Sequence, residues 1–532
     1  MTGTRTFRRL RVSKVIDAGD LKLSHIPEPT LLFRYGQQLE YSRDGLYLYG
    51  PVDSEDVPKP LRYGFIGTKN GLERFERWAA SVSSFIPTPV ARPGAKAIEP
   101  HHVPFPGVAE AFNVIWSAKP ARSIADIDEA DLYRRMHIGN RHEAIKETVD
   151  VFVDRLIAEQ KRSENPPSFW YVVVPEFVHE LGRQQSSVPK AERVDGKVKI
   201  SERDAKKLTT QPTLFGLDEA EADVYLYEKD FRRQLKARLL EHRIVTQIVR
   251  ESTLVPGDFL KSNGEPKRRV EDPATIAWKL SSGSYYKSGG RPWQLADVRP
   301  GVCYVGLVYK RQEQGASPQH SVCAAQMFLS DGDGVVFRGA LGPWFHPDTK
   351  QFHLDREAAG RLASTVLSEY RNQHGQDPVE LFIHAKAAFS DEEWAGFQDA
   401  CNGTAVNIVG VQIADAWDQL KLFRSGAYPV IRGTAMMTGG RSAFLWTSGF
   451  VPRLGTYMGP DTPNPLQISI RRGDASLETV MKDVLGLSKV NFNTCLFNDR
   501  FPVTIRFADA IGEILAAAPL EGEPMLPFKF YI

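Results

Sequence analysis

The 532-residue chain has no apolar run approaching the ~18 residues that a membrane-spanning helix requires. Its basic N-terminus, Met1 to Arg11, is followed by no apolar signal core, so the sequence reads as a cytoplasmic protein with no membrane attachment. The four cysteines, Cys303, Cys323, Cys401 and Cys495, form no CxxC pair and sit in mostly apolar settings. They read as buried reduced thiols rather than a disulfide framework or a metal cluster. Charge of one sign is also lacking: 67 basic and 65 acidic residues leave a net charge of +2. That balance neither demands nor excludes nucleic acid, because a groove can be basic on a near-neutral chain. No repeat of ~20–50 residues is visible, which sets aside solenoids and propellers.

What is present is an ordinary globular composition, 42% hydrophobic and 25% charged, on a chain long enough for two or three domains. The first hundred residues are rich in Gly and Pro and read as irregular β and loop, with Leu46–Tyr49 as a short strand. Phe112–Trp116 reads as another strand. Residues 142–161 carry apolar side chains at helical spacing, and Phe169–Val174 is a continuous apolar run of the kind found in buried parallel strands. Arg183–Thr210 is polar and reads as a surface excursion. A helix is expected over Asp223–Arg243, followed by a strand over Ile244–Val249. Strand and helix alternation of this kind predicts an open α/β sheet.

A second α/β unit begins near Trp293. Strands are expected at 303–310, 321–329, 334–338, 379–385, 406–413 and 441–447, with helices at 355–371, 390–401, 476–485 and 504–517. Early strands followed by alternating α/β suit an RNase H-like core. Asp331–Gly332–Asp333 reads as a hairpin turn, and Asp509 and Glu513 as neighbours on a helix face.

One constellation has the chemistry of an anion site. Arg232 and Lys236 are four apart on the expected helix, which puts both cations on one face. Gln247 lies on the next strand, and Lys287 precedes Ser288–Gly289–Gly290, where glycines permit close backbone approach to an anion. It is no Walker loop, because the GxxxxGK[ST] order is absent. The four residues could clamp a terminal phosphate through charge-assisted hydrogen bonds. A solvated helix face and a plain turn are the commoner roles for residues of these types.

The segment Phe231–Ala237 with Gln247 and Tyr286–Gly290 is similar in order and spacing to the MID pocket of Argonautes. Asn491–Phe492–Asn493 and Pro502–Asp509 resemble the PIWI signature of the same family. Ile26–Pro29, Tyr49–Gly50–Pro51, Val173–Val174–Pro175–Glu176 and Trp446–Phe450 resemble its short prokaryotic members, and no ~120-residue PAZ-type module has room before the MID pattern. The resemblance implies an N-terminal segment plus a Rossmann-like MID domain over 1–290 and an RNase H-like PIWI domain over 291–532. It implies that Arg232, Lys236, Gln247 and Lys287 bind a guide 5′ phosphate. Arg232 stands where the family commonly has Tyr or His. The resemblance also implies that the C-terminal carboxylate of Ile532 holds a Mg2+ ion there, and that Arg506 and Arg453 contact nucleic acid in the groove.

Against that resemblance, the expected PIWI acids are missing. Val308 stands at the first position, Lys386 at the second and Gly486 at the last. Two catalytic Mg2+ ions need several clustered carboxylates, so no slicing activity is expected. The alternative is an active RNase H-like guide-directed nuclease using other acids. Short Argonautes of this kind act with a second protein. The implied function is therefore recognition of invading DNA through a 5′-phosphorylated guide RNA paired to single-stranded target DNA, as a sensor in prokaryotic immunity. The activity would reside on a heterodimeric APAZ-containing effector, such as a TIR or sirtuin-like NAD-depleting domain or a DNase.

Overall fold

A computed structural model describes residues 22–89, 100–208, 221–311, 321–328, 335–342, 345–346, 351–416, 420–459, 461–519 and 526–532. The Asp331–Asp333 turn lies outside them. No described helix is long and apolar enough to cross a membrane. Cys303, Cys401 and Cys495 are buried free thiols.

The strands, in chain order, are β1 (Lys22–His25), β2 (Tyr63–Ile66), β3 (Arg122–Ile124), β4 (Phe169–Val174), β5 (Thr246–Arg250), β6 (Val302–Arg311), β7 (Ser321–Phe328), β8 (Val335–Gly342), β9 (Glu380–Ala385), β10 (Asn407–Asp415), β11 (Thr434–Gly439), β12 (Ser442–Leu445), β13 (Leu466–Arg472) and β14 (Leu526–Pro527). The helices that matter below are α1 (Arg141–Arg162), α2 (Phe231–Leu240), α3 (Pro273–Lys287), α4 (Arg356–His374), α5 (Asp391–Cys401), α6 (Leu477–Leu487) and α7 (Val503–Leu515).

Two sheets organise the molecule. The first is four-stranded and wholly parallel, in the order β3-β2-β4-β5. Its inner strand β4 is buried at all six positions, which is why it reads as an unbroken apolar run. One core beneath this sheet joins Val172 and Val174 to Val149, Phe152 and Leu156 of α1 and to Phe231 and Leu235 of α2. The second sheet has ten strands, in the order β1-β11-β12-β13-β10-β9-β6-β7-β8-β14. Its centre, β6-β9-β10, is parallel, and antiparallel strands flank it. Helices α4 and α5 share a core with one face of β6 and β9. Helix α7 lies on the opposite face, where a Cβ on Gly306 would sit 1.9 Å from the Thr504 carbonyl oxygen.

The chain crosses between these sheets more than a cut at residue 290 implies. Strand β1, from the N-terminal segment, forms the edge of the ten-stranded sheet beside β11. Buried Arg432 and Lys489 converge on Glu28, with Arg432 Nε 2.8 Å and Lys489 Nζ 2.7 Å from its carboxylate. A single apolar core also runs from Phe75 and Tyr171 to Val484 and Phe507.

Several local expectations are corrected. Residues 42–48 form a helix rather than a strand, because Gly45 lets the Phe33 ring pack directly on the helix backbone; a Cβ there would lie 2.1 Å from that ring. Only Val114–Ile115 of the 112–116 run is strand, and Val108–Phe112 is helical. The expected helix over 223–243 is a single turn, Asp223–Leu226, followed by α2. Asp230 breaks the run: its carboxylate accepts from the Arg233 N–H at 2.9 Å and so caps a new helix.

Candidate nucleic-acid interface

Four of the residues singled out by sequence meet where α2, β5, α3 and the last residue of the chain converge. The Asp230 cap fixes the start of α2, and one turn later Lys236 points inward. Lys236 is 2% exposed. Its Nζ donates to the Thr246 carbonyl at 3.1 Å and to Thr246 Oγ1 at 3.3 Å, and also to the Ile532 oxygen, 296 positions away in sequence. Lys287, the last residue of α3, is 1% exposed. Its Nζ donates to Gln247 Oε1 and, at 3.2 Å, to Asn493 Oδ1. Directly after Lys287 the chain turns through Gly289, whose φ of +104° is one that side-chain-bearing residues rarely adopt.

The electrostatics of this spot are unusual. Burial pushes the Lys287 pKa down to about 7, and the Arg232 charge adds to the effect. Burial also drives Lys236 well below the ordinary lysine range, with Lys287 and Arg232 contributing repulsion. Two buried ammonium groups beside a guanidinium are costly unless an anion joins them. Within the pocket the partners of the two lysines are oxygens of Ile532, Thr246, Gln247 and Asn493. A phosphate is the kind of ligand that such an arrangement favours. The oxygens gathered here, from Ile532 and Gln247, are of the hard type that Mg2+ takes alongside ligand phosphate oxygens and water.

Arg232 lies one helical turn before Lys236 and is exposed rather than buried. It lines an adjacent cavity of about 380 Å3 together with His179, Arg183, Asp230, Arg233 and Arg250. Asn493 was not legible as a member of the pocket. Its one signal is the Asn491–Phe492–Asn493 spacing, which sets the Asn493 N–H 3.2 Å from Asn491 Oδ1. Gly283, in the middle of α3, makes room for it; a Cβ there would meet Asn493 Oδ1 at 3.2 Å and Gln247 Oε1 at 3.6 Å.

A larger cleft of about 1220 Å3 opens at the opposite end of α3 from Lys287, between its N-terminus and the loops at 448–459 and 496–500. Arg43, Arg269, Lys279 and Arg500 line it among mixed polar and apolar groups. Arg506 is half exposed and pairs at 3.1 Å with Asp499, which is itself part of that lining. Arg453 is placed differently from the expectation. Its guanidinium grips both Asp44 oxygens at 2.6 Å and the Pro100 carbonyl at 3.0 Å, so it fastens the N-terminal segment to the second half.

The three positions expected to lack acids fall into two places. Strands β6 and β9 run parallel with Leu307 opposite Ala385, which brings Val308, within β6, level with Lys386, just past the end of β9. Gly486 does not join them. Helix α6 meets the sheet at the other end, where Asp483 pairs with Arg299 at 2.6 Å beside Glu380, the first residue of β9. A Cβ on Gly486 would touch Leu295 instead. Asp509 of α7 reaches these strand ends, 2.7 Å from Lys310 and 3.2 Å from Lys386, and Glu513, on the same helix face, is 3.4 Å from Lys310. His384, 2.9 Å from Thr504 Oγ1, is buried beneath α7, and burial lowers its pKa to about 3.

The class this defines is a two-part α/β protein with a parallel sheet beside a buried lysine pocket and a large mixed sheet whose central strand ends bring Lys310 and Lys386 to Asp509. Solved structures make the fold specific: it is the α/β MID–PIWI fold of Argonautes. The chain resembles Clostridium butyricum Argonaute, solved with a guide DNA (5′ deoxycytidine) and a 19-mer target DNA, with a TM-score of 0.60 and 14% identity over 98% of this chain. It also resembles A. aeolicus Argonaute, with TM-scores of 0.53 and 0.52 and identities of 14% and 13% over 97% and 94% of this chain. The chain spans little more than half the length of these proteins, 56%, 56% and 54% of the respective chains. No protein-family model matches the sequence, and no curated protein does.

Proposed function

We propose that this protein is a guide-loaded nucleic-acid sensor of the short Argonaute kind, which recognises a complementary strand without cutting it. The observation that carries the reading is the convergence of Lys236, Gln247, Lys287 and Ile532 into one buried, anion-deficient pocket. In this reading the pocket anchors the 5′ phosphate of a guide RNA, and the 1220 Å3 cleft, with Arg506 at its edge, leads the strand onward. Ile532 would hold Mg2+, which would supply positive charge to the guide phosphate. The solved C. butyricum relative, held with guide and target DNA, supports the same use of the fold.

Specificity would come from base pairing to a single-stranded DNA target, with the protein reading backbone and duplex shape. The lack of cutting rests on Val308 and Lys386, which lie level, and on the two lysines that occupy Asp509. An ammonium repels the metal ions that a nuclease would need in that place. The consequence of target recognition would then fall to an associated APAZ-type effector on another chain, as an antiviral or anti-plasmid response.

Charge reversal at Lys236 and Lys287 (K236E, K287E) tests the pocket. The variants are expected to bind 5′-phosphorylated and 5′-hydroxyl guides equally, and an undiminished phosphate preference would defeat the assignment. Incubating the guide-loaded protein with a paired target and Mg2+ tests the absence of cutting; any guide-directed cleavage product would sink it.

A further inference from the structure

The C-terminal ends of parallel strands are where open α/β sheets present their ligands. At the ends of β6 and β9 this chain presents lysines. Lys310 and Lys386 reach from two adjacent strands to one carboxylate, Asp509, at 2.7 and 3.2 Å. The Lys386 side chain is 43% exposed and that of Lys310 is 27% exposed, so both ammonium groups are within reach of a strand laid across the sheet edge. Burial raises the Asp509 pKa, but the two lysines outweigh it and hold the carboxyl below its usual range. Glu513 is shared between Lys310 at 3.4 Å and Arg233 at 2.9 Å, and Arg233 pairs in turn with Glu228 at 2.7 Å. Arg506 stands one turn before Asp509 on the same face of α7.

Two partly exposed ammonium groups that already converge on one carboxylate at a ligand-presenting edge are spaced to converge on one phosphodiester. We infer that Lys310 and Lys386 form a binding site for a backbone phosphate of the target strand, in which the ammonium groups exchange Asp509 for the phosphate. The inference rests on the guide-and-target reading above. Where metal ions would bridge acids to a phosphate, the lysines contact the phosphate directly, so the edge that does not cut becomes an edge that grips. Asp509 serves as the internal counter-ion that keeps the two lysines apart and ordered until a target arrives. The site reads no sequence, because a phosphate contact positions a strand without specifying bases.

The test uses the full chain loaded with a 5′-phosphorylated RNA guide and a labelled complementary single-stranded DNA. K310Q/K386Q is expected to weaken target binding roughly tenfold, and to flatten the salt dependence by about one unit of log-log slope per lysine. Guide affinity should be unchanged. D509N, which frees the lysines, is expected to tighten target binding several-fold. A scan of single neutral methylphosphonate linkages along the target should find one position where wild type loses affinity and K310Q/K386Q does not. The scan in wild-type protein still decides the matter if the lysine variant folds poorly. Unchanged target affinity and slope in K310Q/K386Q with guide binding intact, or a featureless methylphosphonate scan, would overturn this site alone. Failure of the wild-type protein to bind a guide would overturn the guide reading itself.

Discussion

Raising the pH from 7 to 9 is expected to strip the pocket of most of its affinity for a 5′-phosphorylated guide. The pKa of Lys287 is about 7 in the free protein, lowered by burial and then by the Arg232 charge. A phosphate dianion seated against it favours the charged form and returns the pKa toward the ordinary ~10.4. Binding therefore takes up a proton at any pH between those values, and affinity falls as pH rises through that window. The free group is half protonated near pH 7 and almost wholly neutral at pH 9, so the loss is on the order of tens-fold, or about 2 kcal/mol. Lys236, also lowered, steepens the fall. Below about pH 6 the phosphate dianion takes up a proton and affinity drops again. Fluorescence anisotropy with matched 5′-phosphate and 5′-hydroxyl guides, from pH 5.5 to 9.5 at fixed ionic strength, measures the profile. Lys287→Arg should remove its share of the alkaline fall, since a guanidinium stays charged throughout. Parallel profiles for the two end groups would refute the reasoning.

Two further expectations concern the frame that holds the pocket. Glu28→Gln leaves Arg432 and Lys489 buried without their carboxylate, which should cost about 3–5 kcal/mol and appear as a large drop in melting temperature. Gly306→Ala forces a methyl group into the Thr504 backbone and should lower stability by about 1–3 kcal/mol or more, read by chemical denaturation.

The pocket was legible where local spacing carries the chemistry. Lys236 follows Arg232 by one helical turn, and Lys287 precedes a glycine turn whose backbone only Gly adopts easily. Asn493 was not legible because it meets Lys287 only through folding, from 206 positions away. The register of β6 against β9 likewise decides that Val308 and Lys386 lie level and that Gly486 does not join them. No pattern within a single helix could show that Asp509 would face two lysines from separate strands. The α/β alternation announced both sheets, but the pairing of β1 with β11 across the whole chain lies beyond any periodicity. The helix at 42–48 was hidden for a related reason: its Gly45 is explained by Phe33 packing and not by its own neighbours.

The central claim is that the pocket of Lys236, Gln247 and Lys287 holds the 5′ end of a guide strand. Its most direct test is the nucleic acid that accompanies the protein purified with its native partner. After extraction, polynucleotide kinase should label these strands only if phosphatase has first removed a 5′ phosphate, and K236E/K287E should carry none. Co-purifying strands with free 5′ hydroxyls, or equal loading of the variant, would contradict the account.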